Sequence, residues 1–199
     1  MSQDEIRIMA TPVTQNSCRF TVDRPIYPDS AYYFGSSETA QGSPLARRLF
    51  ELEGVTSVLI SHDEVTVNKG GFEEWQMLGR QIGAAIREHV ASGEPTVDDE
   101  VRARIPSADE IRHRVEEVLD NEINPQVASH GGVVQLLDVK DNNLFIQMGG
   151  GCQGCGMANV TLKHGVEAAI RQAVPEVGAI LDVTDHAAGR NPYFAPSGS

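Results

Sequence analysis

The chain has 199 residues, 40% of them hydrophobic and 22% charged, and a formal net charge of −12. That is a globular composition for one ordinary domain or two small ones, and it excludes a general nucleic-acid binder, which needs a basic face to meet phosphates. No apolar run approaches the roughly 20 residues of a membrane-crossing helix, and three cysteines, an odd count, make no disulfide framework.

The N-terminal stretch MSQDEIRIMATPV carries Asp4 and Glu5 early and lacks a basic region followed by an apolar one, so neither a secretory signal nor a transit peptide is expected. A reducing cytoplasm is the expected setting, where close cysteines bind metal or do redox chemistry. EIRIMA alternates apolar and polar residues, as a half-buried strand does, and SCRFTV and AYYFG read as further strands. Ser43 and Pro44 open a helix, a hydroxyl cap followed by proline at the first helical position. Leu45, Leu49 and Leu52 give that helix an apolar side, and Gly54 stops it. VTSVLI and EVTVNK, joined by Ser61-His62-Asp63, predict a β-hairpin. Phe72, Trp75, Ile82 and Ile86 predict one face of a second helix reaching about His89, with Phe72 and Trp75 as core residues. The Tyr32-Tyr33-Phe34 run is expected to be buried in a sheet. His62-Asp63-Glu64 is expected to be a polar turn rather than a metal or acid–base group.

Residues 92–107, SGEPTVDDEVRARIPS, hold two prolines, one glycine and few large apolar side chains, and read as a flexible linker over 92–106. The second segment opens at Ser107-Ala108-Asp109-Glu110, a capping box. Ile111, Val115, Val118 and Leu119 form that helix's apolar face, and Pro125 is expected to end it. Gly131-Gly132 leads into VVQLLDVK, a turn at Asp141-Asn142-Asn143, and LFIQM. After a glycine-rich loop comes a helix with Leu162, Val166, Ala169, Ile170 and Ala173 on one side. Pro175 ends it, and VGAILDVT makes a last strand. The tail over 187–199 is expected to be flexible. The fold class is α/β (α+β): two small domains, 1–91 and 107–186, each a short mixed sheet with flanking helices. Residues 1–93 carry a net charge of −4 and residues 94–199 a net charge of −8.

The chemistry-bearing stretch is GGGCQGCGMANVTLKHG, residues 149–165. Cys152 and Cys155, with two residues between them, sit in a loop with glycine at 149, 150, 151, 154 and 156. The spacing lets two thiolates converge on one point while the backbone turns between them, and bare glycine amides can approach sulfur. Cys155 stands at or near the first turn of the following helix, whose N-terminus favours negative charge. An iron–sulfur cluster suits this pattern. Three other readings fit parts of it. Gly149-x-Gly151-x-x-Gly154, with Glu176 downstream, formally matches a dinucleotide fingerprint, but it lacks a second nucleotide-binding half. A thioredoxin-like dithiol is the usual meaning of Cys-x-x-Cys near a βαβ unit. Structural zinc would need His130, His164 or His186 to complete its ligands, and none has a finger-like spacing. For a 4Fe–4S cluster held by four thiolates, the ligand count points to symmetry: two chains, each contributing Cys152 and Cys155, with Cys18 alone in the other domain.

INPQVASHGGVVQLLDV, GGGCQGCGMANVTLKHGVE and VTDHAAGRNPYF together resemble the NifU-like C-terminal domain of the Nfu family of iron–sulfur scaffold and carrier proteins. SPLARRLFELEGVTSVLI, EVTVNK and the Trp75 helix resemble, more loosely, the separate N-terminal domain of the same family. The resemblance implies a 4Fe–4S cluster bound by Cys152 and Cys155 of two subunits and passed to apo iron–sulfur client proteins. It implies a homodimer when the cluster is bound, exchange with upstream cluster-assembly proteins, no nucleic-acid or membrane partner, and a carrier rather than an enzyme. The N-terminal domain is expected to serve client recognition or support. Cys18 matches no motif of the family. The alternative function is a thiol–disulfide oxidoreductase using the same cysteine pair.

Overall fold

The computed structural model of the chain describes residues 6–129, 131–150 and 156–183. The chain divides into two compact units, Met1–Ile105 and Pro106–Ser199, and its fold is mixed α+β.

The first unit is built on a five-stranded sheet in the order β1-β2-β5-β4-β3, from β1 (Ile8–Thr14), β2 (Ser17–Val22), β3 (Tyr27–Phe34), β4 (Val55–His62) and β5 (Glu64–Lys69). Every neighbouring pair is antiparallel, so this sheet is not the mixed one expected. Two tight hairpins, β1–β2 and β4–β5, dictate two of those four pairs, because a short turn can only reverse the chain. The alternation of β2 and β5 puts Cys18, Phe20, Val22, Val65 and Val67 on one face. Helices α1 (Pro44–Phe50) and α2 (Trp75–Ser92) cover that face with Leu45, Leu49, Leu78, Ile82 and Ile86. The Ser43 hydroxyl caps α1 by accepting from the Ala46 amide at 3.0 Å, and Gly93, at φ +68°, ends α2 in the left-handed conformation that glycine adopts without a Cβ clash. Strand β1 lies later than EIRIMA suggests and is exposed from Met9 onward, as an edge strand containing Pro12 can be.

Phe72 is not a core residue. It is fully exposed, because it precedes the helix start at Trp75 and so does not share the helical phase of Leu78, Ile82 and Ile86. Trp75 is half-buried, with its indole N–H donating to the Gln15 carbonyl at 2.8 Å. Phe34 is buried and stacks on Tyr32 at 4.8 Å. At the β4–β5 turn the His62 and Asp63 carbonyls accept from the Ile26 and Val22 amides, so the polar turn ties strand ends together.

Residues read from sequence as linker are packed onto the first unit. Val97 is buried in its core, with Val101 against it. The Ser43 hydroxyl donates to the Thr96 carbonyl at 2.6 Å, the Thr96 hydroxyl donates to the Ile26 carbonyl at 2.7 Å, and the Asp98 amide donates to the Gly42 carbonyl at 2.8 Å. A short helix, α3 (Asp99–Arg102), follows. Two valines and one buried threonine suffice because α1 offers a ready cap residue and Gly42 leaves bare backbone; a Cβ there would overlap Val101.

The second unit begins with α4 (Ala108–Val118), where the Glu110 amide donates to the Ser107 hydroxyl at 3.3 Å. Ile111, Val115, Val118 and Leu119 are buried. The helix does not stop at Pro125. It passes through one π turn, Leu119–Ile123, into α5 (Asn124–Ala128), whose first turn accommodates Pro125, because the amide proline lacks has no helical partner there. Strands β6 (Gly132–Lys140), β7 (Asn143–Gly150) and β8 (Ile180–Asp182) form a sheet in the order β6-β7-β8. β6 and β7 are an antiparallel hairpin with a bulge at Leu137; Asp141 sits in its turn at φ +56°. β7 and β8 are parallel, joined by the 18-residue helix α6 (Gly156–Ala173). β8 is shorter than VGAILDVT suggests. Val174, Val177 and Gly178 ahead of it are nonetheless buried.

Candidate metal centre

The cysteine loop connects the end of β7 to the start of α6. Cys152 and Cys155, with Gly151, Gln153 and Gly154, lie outside the described residues, as do His130 and His186. The structure does describe what frames them. β7 pairs with β6 up to Gly132↔Gly150, so the last residues of β7 and the first of β6 stand side by side at the loop. Gly149 lies against Val133: a Cβ on it would stand 3.1 Å from Val133 Cγ1, tighter than ordinary contact. α6 begins at Gly156, one residue after Cys155. Its N-terminal amides and positive dipole end stabilise negative charge nearby, such as a thiolate.

Both ends of this frame are tied by side chains. At the β6 edge, the Asn124 side-chain amide bridges one residue: its Nδ2 donates to the Val134 carbonyl at 3.0 Å and its Oδ1 accepts from the Val134 amide at 2.8 Å. At the end away from the loop, Arg171 donates to the Val177 and Gly178 carbonyls, both at 2.8 Å. Buried Asn142 donates from Nδ2 to the Glu176 carbonyl at 2.9 Å, and Asn143 Oδ1 accepts from the Ala179 amide at 2.8 Å. Arg114 donates to the Ala173 carbonyl and to the Glu176 carboxylate at 3.1 and 3.3 Å. Two guanidinium groups thus sit at the C-terminal end of α6, where positive charge is favoured. Sequence reasoning missed Asn124, Asn142, Arg114 and Arg171. An asparagine in a turn and an arginine late in a helix have many ordinary uses, and only folding shows which carbonyls they meet.

Other candidates resolve individually. Cys18 is buried at 2% exposure in the first unit's core. Burial pushes its thiol pKa up, against weaker opposition from the Thr11 and Arg19 backbone, and a protonated thiol is a poor ligand. His164 is exposed on α6. Glu176, the ribose contact of the dinucleotide reading, is engaged with Arg114 and Asn142. Among the described residues no group of three or more His, Cys, Asp or Glu is placed to hold a metal ion.

Residues 6–93 match the family described as scaffold protein Nfu/NifU N terminal, and residues 115–181 match the NifU-like domain family. The chain belongs to the Nfu family. A human relative, the mitochondrial NFU1 iron-sulfur cluster scaffold homolog, is 34% identical over 90% of this chain and 72% of that protein. A NifU-like protein of Schizosaccharomyces pombe is 30% identical over 90% of this chain and 73% of that protein. The Fe/S biogenesis protein NfuA of Pseudomonas aeruginosa is 46% identical, over 46% of this chain and 50% of that protein. The Nfu framework thus spans both units of this chain. Among the described residues no helix is long and apolar enough to cross a membrane.

Proposed function

We propose that this Nfu chain is an iron–sulfur scaffold and carrier whose cargo is a 4Fe–4S cluster, held by Cys152 and Cys155 of two subunits and passed to apo-proteins. The observation that carries the reading is that the Cys-x-x-Cys stretch follows a β6–β7 hairpin held at β6 by Asn124 and precedes the N-terminus of an 18-residue helix. Relatives known as an iron–sulfur cluster scaffold and an Fe/S biogenesis protein support the same role. The third cysteine is buried in the other unit, so one chain offers two thiolates at the loop, and a four-thiolate site takes two chains.

In this mechanism the residues bind and release; they do not catalyse turnover. The α6 N-terminus favours the thiolate form, and the glycines keep side chains away from the sulfurs so that backbone amides can donate to them. A cargo held between two chains is released by ligand exchange when an incoming thiolate replaces one of the pair. We assign the first unit to client recognition or support. We place the chain in a reducing compartment such as the cytoplasm, where the thiols stay free.

Anaerobic reconstitution with iron and sulfide tests this. About two irons and two sulfides per chain, in a species of dimer mass, is the expected result for a shared cluster. Cys152→Ala and Cys155→Ala each abolish binding while the fold survives. Iron-free protein whose two cysteines close readily into a disulfide would instead favour the oxidoreductase.

A further inference from the structure

The β6 edge has a gap that no described residue of the chain fills. In the β6–β7 hairpin, Lys140 and Asn143 flank a two-residue turn, and the ladder alternates from there, with Leu137 as the extra residue of the bulge. The alternation makes Gln135↔Gln147 a hydrogen-bonded pair and turns the backbone N–H and C=O of Val134 and Leu136 away from β7. The Asn124 bridge to both backbone groups of Val134 agrees with that phase. Asn124 satisfies Val134 as a neighbouring strand would. Leu136, two residues on, presents the same pair of groups to a groove between β6 and the α4–α5 turn, lined on the helical side by Glu116, Leu119 and Asp120.

The groove has a definite chemistry. Leu137 and Val133 are exposed large apolar side chains beside it, 47% and 38% accessible. Its rim is acidic. Arg112 lies 3.0 Å from Asp138 and 3.8 Å from Glu116, and with Asp120 also on the lining the carboxylates outnumber that one guanidinium. An unpaired strand edge takes an extended backbone, with alternate side chains supplying specificity. Apolar groups next to carboxylates select apolar residues alternating with basic ones. A second copy of this chain, with net charge −12, would meet repulsion there.

The geometry points to this β6 edge as the docking site for an extended segment of a client protein, one that alternates apolar and basic residues and pairs with the backbone of Leu136. Leu136 is four residues along β6 from Gly132, about 13 Å at strand rise, so the segment lies one short span from the cysteine loop. The inference deepens the carrier reading and rests on it for the identity of the partner.

The test uses the full-length apo chain, labelled with 15N, titrated with an alternating Lys–Val heptapeptide and with its Glu–Val counterpart. The Lys–Val peptide moves the amide signals of Leu136 and Leu137, and the Glu–Val peptide does not. Leu136→Pro removes the outward N–H without touching the β7 ladder, and Glu116→Lys with Asp120→Lys reverses the rim; each weakens binding at least tenfold. Retained hydrogen-exchange protection at the Phe145 and Gln147 amides, which face β6, confirms that the proline variant keeps its hairpin, and if protection is lost the charge reversal decides alone. Unchanged affinity in the charge-reversed chain, no binding, or shifts confined to other surfaces overturns the proposal. So does movement of the Leu136 and Leu137 signals on concentrating the protein without peptide, which would make the occupant a second copy. The Cys152→Ala chain binds the peptide as the parent does. Peptide binding with failed cluster reconstitution would therefore count against the carrier reading and leave the docking site standing.

Discussion

Ser43→Ala probes how the stretch after α2 is held. The Ser43 hydroxyl is fully buried and works twice: it accepts from the Ala46 amide at 3.0 Å, capping α1, and donates to the Thr96 carbonyl at 2.6 Å, anchoring residues 94–102. Loss of a cap costs about 1 kcal/mol. A buried carbonyl left without its donor costs about 1–3 kcal/mol. Together the substitution destabilises the first unit by roughly 2–4 kcal/mol. With a urea slope of about 2 kcal/mol/M, the midpoint falls by about 1–2 M. Trp75 is the chain's single tryptophan and lies in the first unit, so its fluorescence reports this transition separately from that of the second unit. Limited trypsin treatment gives a second readout, because Arg102 and Arg104 become easier to cleave when the anchor goes. A midpoint shift below about 0.3 M, together with unchanged cleavage, would refute the anchoring role and restore a free linker.

Other outcomes follow from the same contacts. His89 is buried and bonds Thr96 through Nε2, while its Nδ1 has no partner among the described residues; burial, then Arg48, holds its pKa below the ordinary 6.5, against Glu94. The unfolded chain therefore takes up the proton first: the stability contributed by neutral His89 is full above about pH 6.5 and is lost as pH falls toward the folded pKa. Trp75-monitored urea midpoints at pH 7.5 and 5.5 should differ more for the parent than for His89→Gln. Asn124→Ala leaves both backbone groups of Val134 unpaired, costs the second unit about 1–3 kcal/mol, and speeds hydrogen exchange at the Val134 amide; unchanged exchange would contradict the bridge. Phe72→Ser changes the first unit's stability by less than about 0.5 kcal/mol, whereas Leu78→Ala costs about 2–5 kcal/mol; paired urea titrations would expose an error if Phe72 proved the costlier.

Much of the architecture was legible because its signals are local. Ser43-Pro44 and the Ser107 box start helices where their hydroxyls meet first-turn amides, and alternation in SCRFTV and EVTVNK marks the buried faces of β2 and β5. The candidate centre was legible as a motif, since two cysteines among five glycines need no fold to be noticed. What failed was the placing of element ends and whatever depends on distant partners. Phe72 carries the right residue type at nearly the right spacing, but the helix begins after it. Pro125 looks like a stop, yet a π turn brings it into the one helical turn that tolerates it.

The amino-acid sequence by itself determined where most elements lie, which faces they bury, and that Cys152 and Cys155 share one short motif, because helix period, strand alternation and short motifs act over a few residues. Only the tertiary structure decided that the first sheet is wholly antiparallel, that Val97 and Thr96 turn an apparent linker into part of the first unit, and that Asn124, Arg114, Arg171 and Asn142 brace the frame of the cysteine loop. Those outcomes hang on which buried backbone groups are left without partners once the chain is packed, and on which side chain, from the next turn or from far along the sequence, then comes within hydrogen-bonding distance.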